Sequence, residues 1–225
     1  MMLKQIFPNV AHIWPQFVQA IWDTIYMTLW SSVIAGVLGL AVGIILVITQ
    51  EGGIAEDSYV YGLTDKVVNL LRSIPFIILL AVMFPITNFI VHTTVGTTAA
   101  LVPLVVGIFP FYARQVQNAL LEIDPQVIEA ARSMGSGNLE IIFRIYLREG
   151  LPDLIRASIV TVISLIGLTT MAGAIGSGGL GDVAISIGYA RYQNDVTIAA
   201  MLVILLMVFL VQFLGDWLAR KTVHL

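Results

Sequence analysis

Four apolar stretches without Asp, Glu, Lys or Arg dominate this sequence and constrain its fold more than any other feature. They cover residues 24–50, 73–113, 157–181 and 196–215. A helix needs roughly 20 apolar residues to cross a bilayer, so the second stretch is long enough for two crossings. Because backbone polar groups must be satisfied inside the bilayer, each crossing should be helical. The sequence therefore predicts an all-α integral membrane protein with five transmembrane helices.

The five spans are predicted at about residues 20–49, 63–87, 96–121, 150–175 and 195–218, within one transmembrane domain that covers residues 1–225. Pro85, Asn88, His92 and the Thr- and Gly-rich residues 93–98 indicate the turn that divides the long stretch. Composition supports this class, since 11% of the residues are charged, against about 25% in soluble domains.

Several kinds of site are disfavoured by the composition. The chain has no cysteine, which excludes disulfides and cysteine-ligated metals. Its histidines, His12, His92 and His224, are scattered and no two share a helical face, so no metal site is predicted. Nothing indicates nucleic-acid binding, and the N-terminus lacks the features of a cleaved signal peptide.

The basic residues predict the orientation of the spans. If the polar segment 122–148 is cytoplasmic, most Lys and Arg residues fall on the inner side: Lys66, Arg72, Arg114, Arg132, Arg144, Arg148, Arg156, Arg220 and Lys221. Only Lys4 and Arg191 fall outside. This positive-inside bias predicts an outer N-terminus and a cytoplasmic C-terminus. Trp14, Trp22 and Tyr26 then suit the outer interface.

The polar segment 122–148 is predicted to form two short helices joined by a glycine bend. Asp124 suits a helix cap and Pro125 the first helical position. An apolar face at helical spacing is formed by Val127, Ile128, Ala131 and Met134. Gly135 and Gly137 end the first helix, and the second is expected over about 138–147. A docking surface for a partner and a loop packed on its own helices are both compatible with this pattern.

The predicted spans contain almost no ionisable groups away from their ends. Ion-driven carriers normally keep Asp, Glu or His near the midplane, and this chain also lacks a GxxxxGK[ST] phosphate loop. The driving force should therefore come from another molecule. A permease driven by a separate ATPase and a passive channel both satisfy these observations.

A glycine-rich run at residues 176–181 matches the GxGxxG pattern of dinucleotide sites. Such a site follows a strand, whereas this run follows an apolar helix, so a nucleotide role is rejected. The remaining alternatives are a loose turn and a flexible or closely packed outer loop where substrate enters. The residues predicted for that loop are Gly176, Gly178, Gly179 and Gly181.

The polar segment also carries a family resemblance. Glu129-Ala130-Ala131, with Gly135 four residues later and Ile145 and Leu147 beyond, resembles the EAA loop of bacterial ABC-importer permeases. In that family the loop is a coupling helix that docks on a cytoplasmic ATPase. The resemblance implies coupling roles for Glu129, Ala130, Ala131, Met134 and Gly135. The family usually has Pro directly after the Leu, where this chain has Arg148.

Three further stretches resemble the methionine-importer branch of these permeases. They are NLLRSIPF at residues 69–76, FPFYAR through NALLEI at 109–123, and MAGAIGSGGLG at 171–181. The resemblance implies the permease subunit of an ATP-driven amino-acid importer in the bacterial inner membrane. Methionine is the expected substrate, and the expected mechanism is alternating access.

The same resemblance implies the partners of the chain. They are a second copy of itself, a cytoplasmic ATPase dimer under the coupling loops, a periplasmic or lipid-anchored binding protein, and membrane lipid. ATP and Mg would be held by the ATPase, so this chain would need no cofactor and catalyse no covalent chemistry. Thr169, Thr170 and Met171 would lie near the two-fold axis as a gate. The alternatives are a permease for another amino acid or small solute, and an ATPase-independent channel or scaffold.

Overall fold

A computed structural model describes residues 7–222, and the elements in this range are helices. In chain order they are α1 (Pro8–His12), α2 (Trp14–Thr49), α3 (Ser58–Ser73), α4 (Phe76–Val82), α5 (Phe84–Val91), α6 (Thr97–Leu121), α7 (Pro125–Ser133), α8 (Asn138–Ile141), α9 (Leu147–Glu149), α10 (Leu151–Ala172), α11 (Gly179–Asp182) and α12 (Asn194–Thr222). Wider π-helical turns occupy Ile142–Tyr146 and Val183–Tyr189, and the chain kinks at Ile175 and Gly176 after α10. Lys4 and His224 lie outside the described residues.

Four of these helices are long and apolar enough to cross a bilayer. They are α2, α6, α10 with its continuation to Ser177, and α12. They cover the regions predicted for the first, third, fourth and fifth spans. The 36 residues of α2 correspond to about 54 Å at 1.5 Å per residue. This helix is therefore longer than the hydrocarbon core of a bilayer, which is about 30 Å thick.

The region of the predicted second span, residues 63–87, is divided among three shorter helices. Pro75 follows α3 and holds Ile74 in an extended conformation, with ψ 121°. Pro85 lies in the first turn of α5, just after the break at Met83. With 16, 7 and 8 residues, no piece is long enough to cross alone. The count of five spans therefore stays a prediction.

The predicted turn is present from His92 to Gly96, whereas Pro85 and Asn88, which were predicted to mark it, lie within α5. His92 ends α5 in the left-handed conformation, with φ 59°, and its backbone N–H donates to the carbonyl of Asn88. Gly96, at φ +92°, precedes α6. The left-handed region suits Gly96, which has no side chain, whereas at His92 it is an uncommon conformation that ends the helix.

The described chain forms two compact units, and each has its own core. The first comprises residues up to Ile34, Pro75–Gly107 and Val162–Val211. Its apolar core is formed by Val10, Phe17, Ala20, Leu180, Val183, Ala184, Ile187, Val196 and Ala200. In this unit the segment after the glycine-rich run therefore packs on α2 and α12.

The second unit comprises Ala35–Ile74, Ile108–Thr161 and the residues from Gln212 onward. Its core is formed by Val47, Ile54, Tyr112, Val116, Ala119, Leu120, Ala131, Ile141, Ile142, Tyr146, Leu154 and Ala157. Four of these residues belong to the polar segment 122–148. The segment is therefore packed on the helices of its own unit.

Candidate functional site

The first helix of the polar segment begins as the sequence predicts. The Asp124 carboxylate accepts a hydrogen bond from the backbone N–H of Gln126 at 2.9 Å. Pro125 occupies the first helical position, where no intrahelical N–H is required. The predicted cap is confirmed, and α7 starts at a defined point.

The end of α7 is equally well defined. The N–H of Gly135 donates to the carbonyl of Arg132 at 2.9 Å, and the N–H of Ser136 donates to that of Ala131 at 3.1 Å. Together with a φ of +86° at Gly135, these bonds form a Schellman motif. A Cβ on Gly135 would meet no atom within 4 Å. The requirement for glycine therefore comes from the backbone conformation alone.

The predicted apolar face of α7 is divided between the protein interior and the surface. Ala131 is 4% exposed and lies in the core of the second unit, where Ile128 packs against it. Met134 is 80% exposed and Val127 43%. Glu129 and Ala130 are also exposed. Of the five predicted coupling residues, Ala131 therefore holds the helix in place, while the others are available to a partner.

The second half of the polar segment 122–148 also has one buried side and one exposed side. Ile141, Ile142 and Tyr146 are buried in the core, whereas Leu139 and Phe143 are 71% and 66% exposed. Burial raises the pKa of the Tyr146 hydroxyl, and the nearby positive charge of Arg132 opposes this only in part. The hydroxyl therefore stays neutral at physiological pH. We call the exposed residues Val127, Met134, Leu139 and Phe143 the elbow surface.

A polar cluster that sequence reasoning missed connects α3 to α6. The guanidinium of Arg114 donates to Asp65 at 2.6 Å, to Asn69 at 3.0 Å and to Gln117 at 2.6 Å. Asn69 in turn donates to the other carboxylate oxygen of Asp65 at 2.9 Å. Asn69 lies four positions after Asp65, so a hydrogen bond between these two side chains could have been inferred from helical spacing. Arg114 itself is 49 positions away, so its partner required the fold.

We predict that Arg114→Ala destabilises the protein by about 1–3 kcal/mol, because it leaves the half-buried Asp65 carboxylate without its charged donor. The measurement is the midpoint of thermal denaturation of the purified protein in detergent. Arg148→Ala is the matched control, since Arg148 is exposed. Equal midpoints for the two variants would contradict a structural role for the Arg114 cluster.

The three predicted gate residues do not share one environment. The hydroxyls of Thr169 and Thr170 both donate to the carbonyl of Ile166, at 2.8 and 3.0 Å. Thr169 is 1% exposed, whereas Met171 is 41% exposed. Consecutive residues of a helix point in different directions, so three in a row cannot all line one pathway. Met171 is the most exposed of the three, and the gate stays a prediction.

The glycine-rich run is tightly packed at Gly179 and Gly181, whereas a Cβ on Gly176 would meet no atom within 4 Å. Gly176, Gly178 and Gly179 have φ angles of +94°, +82° and +79°. A Cβ on Gly179 would lie 2.8 Å from the hydroxyl oxygen of Thr24, and one on Gly181 would lie 2.7 Å from the Cα of Thr170. These distances contradict a loose turn at Gly179 and Gly181. A role of the four glycines in substrate entry stays a prediction.

One hydrogen bond fixes this turn within the first unit. The backbone N–H of Leu180 donates to the Thr24 hydroxyl at 2.8 Å, and that hydroxyl donates to the carbonyl of Ala20 at 2.9 Å. A cavity of about 280 Å³ lies beside the turn, lined by Leu80, Ala81, Phe84, Thr87, Thr94, Val95, Ala99, Ala100, Pro103, Ile175, Gly176 and Ser177. Within residues 7–222, no group of three or more His, Asp or Glu side chains is placed to hold a metal ion.

Comparison with protein families identifies the chain. Residues 52–224 match the family model described as the binding-protein-dependent transport system inner membrane component. The chain belongs to this family of ABC-importer permeases. The matched region includes the whole polar segment, and the assignment of residues 129–147 as the EAA loop stays a prediction.

Individual relatives place this permease in the methionine-importer branch. It is 42% identical to the probable D-methionine transport system permease protein MetI of Vibrio cholerae, over 91% of both chains. It is 45% identical to the methionine import system permease protein MetP of Bacillus subtilis, over 96% of both chains. The branch inferred from residues 69–76, 109–123 and 171–181 is thereby confirmed.

Solved structures agree with the fold of the permease. A chain of the MetNI methionine ABC transporter in an inward-facing conformation superposes with a TM-score of 0.92 and 42% identity, over 93% of this chain and 97% of that one. A chain of an amino acid ABC transporter crystallised with histidines gives a TM-score of 0.79 at 16% identity. The all-α membrane permease fold is confirmed.

Proposed function

We propose that this permease imports methionine, as a homodimer driven by a separate cytoplasmic ATPase. Support for the substrate comes from the Vibrio cholerae and Bacillus subtilis relatives, which are named for methionine transport and match over nearly their full length. ATP and Mg would bind to the ATPase chain. The permease itself would form the pathway and undergo the conformational change.

The elbow surface is the observation that carries the coupling role. Its four side chains, Val127, Met134, Leu139 and Phe143, are large, apolar and exposed in this chain. Aromatic residues and Met are enriched at the centres of protein interfaces, and apolar anchors dominate binding energy. We infer that an ATPase groove covers these side chains, and that Glu129 and Ala130 lie within the contact.

The buried side of the same segment suggests how movement is transmitted. Ala131 and Ile141 pack in one core with Val116 and Leu120 of α6 and Leu154 of α10. Tightly packed cores are hardly compressible and transmit displacement. A movement of the elbow surface should therefore also move α6 and α10. ATP-driven closure of the ATPases would thereby open the pathway outward, as alternating access requires.

Transport in proteoliposomes tests the function directly. The permease would be reconstituted with its ATPase and binding protein, and ATP-dependent uptake of labelled methionine measured against unlabelled competitors. We expect L- or D-methionine to compete strongly, and leucine, glutamine and histidine to compete weakly. If another amino acid were taken up in preference, methionine would be the wrong substrate, but the chain would still be an importer permease. Uptake without ATP would favour a channel.

We predict that the N-terminus lies outside and the C-terminus in the cytoplasm. Ser58 and Asn194 are matched reporters, because each is exposed and begins a helix. The chain has no native cysteine, so Ser58→Cys and Asn194→Cys can be labelled without background. In intact cells an impermeant thiol reagent should react at position 194 and spare position 58. The reverse pattern would invert the topology.

A further inference from the structure

Three hydroxyl side chains line the cavity of about 280 Å³ beside the glycine-rich run. They belong to Thr87, Thr94 and Ser177, and none of them bonds to another group within residues 7–222. Thr87 is the most buried of the three. It is only 5% exposed, yet its hydroxyl oxygen is accessible from the cavity. Since buried polar groups normally have a partner, this hydroxyl is available to a ligand.

The other side chains that line this cavity are apolar and carry no charge. They include Leu80, Ala81 and Phe84 from α4 and α5, and Ala99 and Ala100 from the first turn of α6. Apolar walls with a few converging polar groups are typical of small-molecule sites. The occupant should therefore be a small amphipathic molecule with a hydrogen-bonding head and no net charge.

The cavity lies at one level of the predicted membrane arrangement. Its walls come from residues 80–87, 94–103 and 175–177. These are the end of the predicted second span, the start of the third and the end of the fourth, and all three ends are outer in the predicted topology. Ile175 lines the cavity and follows Met171 by four residues. A solute that arrives from outside would therefore meet this cavity before the predicted gate.

We propose that this cavity binds the transported amino acid when it enters the permease from the outer side. The inference rests on the proposed import of methionine. The flexible thioether side chain packs against the ring of Phe84, because sulfur and aromatic rings attract each other. The carboxylate accepts hydrogen bonds from the hydroxyls of Thr87 and Ser177. The first turn of α6 borders the same cavity, and its helix dipole also favours a negative group.

The open side of the cavity suits the remaining charged group of the amino acid. Val95 lines this side and is 71% exposed. The ammonium group stays hydrated there, so no acidic side chain is required in the wall. Because the site holds the amino acid mainly through hydroxyls and apolar contact, its affinity is low enough for onward release.

Photolabelling locates the bound amino acid. The permease and its ATPase would be reconstituted without the binding protein and illuminated with photo-methionine, a methionine analogue that carries a diazirine in its side chain. Mass spectrometry of the peptides should find adducts in residues 80–87, 94–103 and 175–177, and excess methionine should suppress them. Adducts spread evenly over the exposed helix faces, or adducts that no amino acid suppresses, would overturn the proposal.

Removal of one hydroxyl tests the hydrogen bond to the carboxylate. Thr87→Val keeps the shape of the side chain and should lower the yield of suppressible adducts about tenfold, because bonds to charged groups are strong. Thr28→Val is the matched control. Thr28 is 8% exposed, its hydroxyl also has no partner among the described residues, and it does not line this cavity. Equal yields from the two variants would refute the hydrogen bond.

A filled cavity tests the site without removing a polar group. Ala81→Trp should abolish the suppressible adducts, because Ala81 lines the cavity. Val82→Trp is the control, since Val82 is exposed beside it but lies outside the cavity. Val95→Cys should not form a crosslink between two copies of the chain. A strong crosslink there, without adducts in the wild type, would assign the cavity to a subunit interface.

Uptake in the same proteoliposomes, with the binding protein added, separates this site from the proposed function. Methionine uptake by a wild type that shows no adducts in the cavity would reject the site and leave the import of methionine standing. If another amino acid were taken up and suppressed the adducts better than methionine, the site would stand and methionine would be the wrong substrate.

Discussion

Replacing Gly135 by Val is expected to reduce coupled methionine uptake about tenfold while the permease still inserts into the membrane. Gly135 adopts φ +86° in the Schellman motif that ends α7. The left-handed conformation costs a residue with a side chain roughly 1–2 kcal/mol, and more for a β-branched one. Relief of this strain should unwind the last turn of α7 and shift Met134, which is part of the elbow surface.

Gly137 provides a matched control for this prediction. It lies two residues further along the same bend, with φ −74°, and a Cβ there would also meet no atom within 4 Å. Gly137→Val should therefore transport nearly as well as the wild type, and Gly135→Asn, which tolerates the left-handed region, should recover part of the activity. Uptake and ATP hydrolysis would be measured in the same proteoliposomes. If Gly135→Val took up methionine normally, the conformation at the end of α7 would have no role in coupling.

The parts of this region that could be predicted are those set by local chemistry. Asp124 and Pro125 define the start of α7, and Gly135 defines its end, because caps are made by residues within one turn of each other. Long apolar stretches likewise define α2, α6, α10 and α12. The inside–outside orientation of these helices was predicted from the distribution of basic residues alone, and that topology stays a prediction.

Longer-range features could not be predicted from the sequence. The apolar spacing of α7 does not tell which residues face inward, so the burial of Ala131 and the exposure of Met134 required the fold. Arg114 was predicted only to lie on the inner side, and its bond to Asp65 depends on how α3 packs against α6. Pro75 divides the second predicted span because the residue before a proline is disfavoured in the helical region, so α3 ends at Ser73.

The same limit applies to the predicted gate. The family resemblance assigned Thr169, Thr170 and Met171 together to a gate near the two-fold axis. The structure separates them, since Thr169 faces the interior of its own unit and Met171 the surface. If a pathway passes this part of α10, the exposed residue is the one that can contact a second copy.

We therefore predict that Met171→Cys crosslinks to its counterpart in the second copy, whereas Thr169→Cys does not. Small residues favour close approach of helices in lipid, and Gly167, four residues before Met171, leaves open space where a Cβ would lie. A disulfide needs Cα atoms about 4.4–6.8 Å apart, so an oxidative crosslink would place Met171 at the two-fold axis. A gate formed by apolar contact should separate on opening, and trapping with ATP and vanadate should weaken the crosslink.

Because Thr169 is buried within its own chain, a crosslink there would contradict the described packing. If no single-cysteine variant from Thr169 to Gly173 crosslinks under any nucleotide condition, the axis lies elsewhere and the gate assignment is wrong.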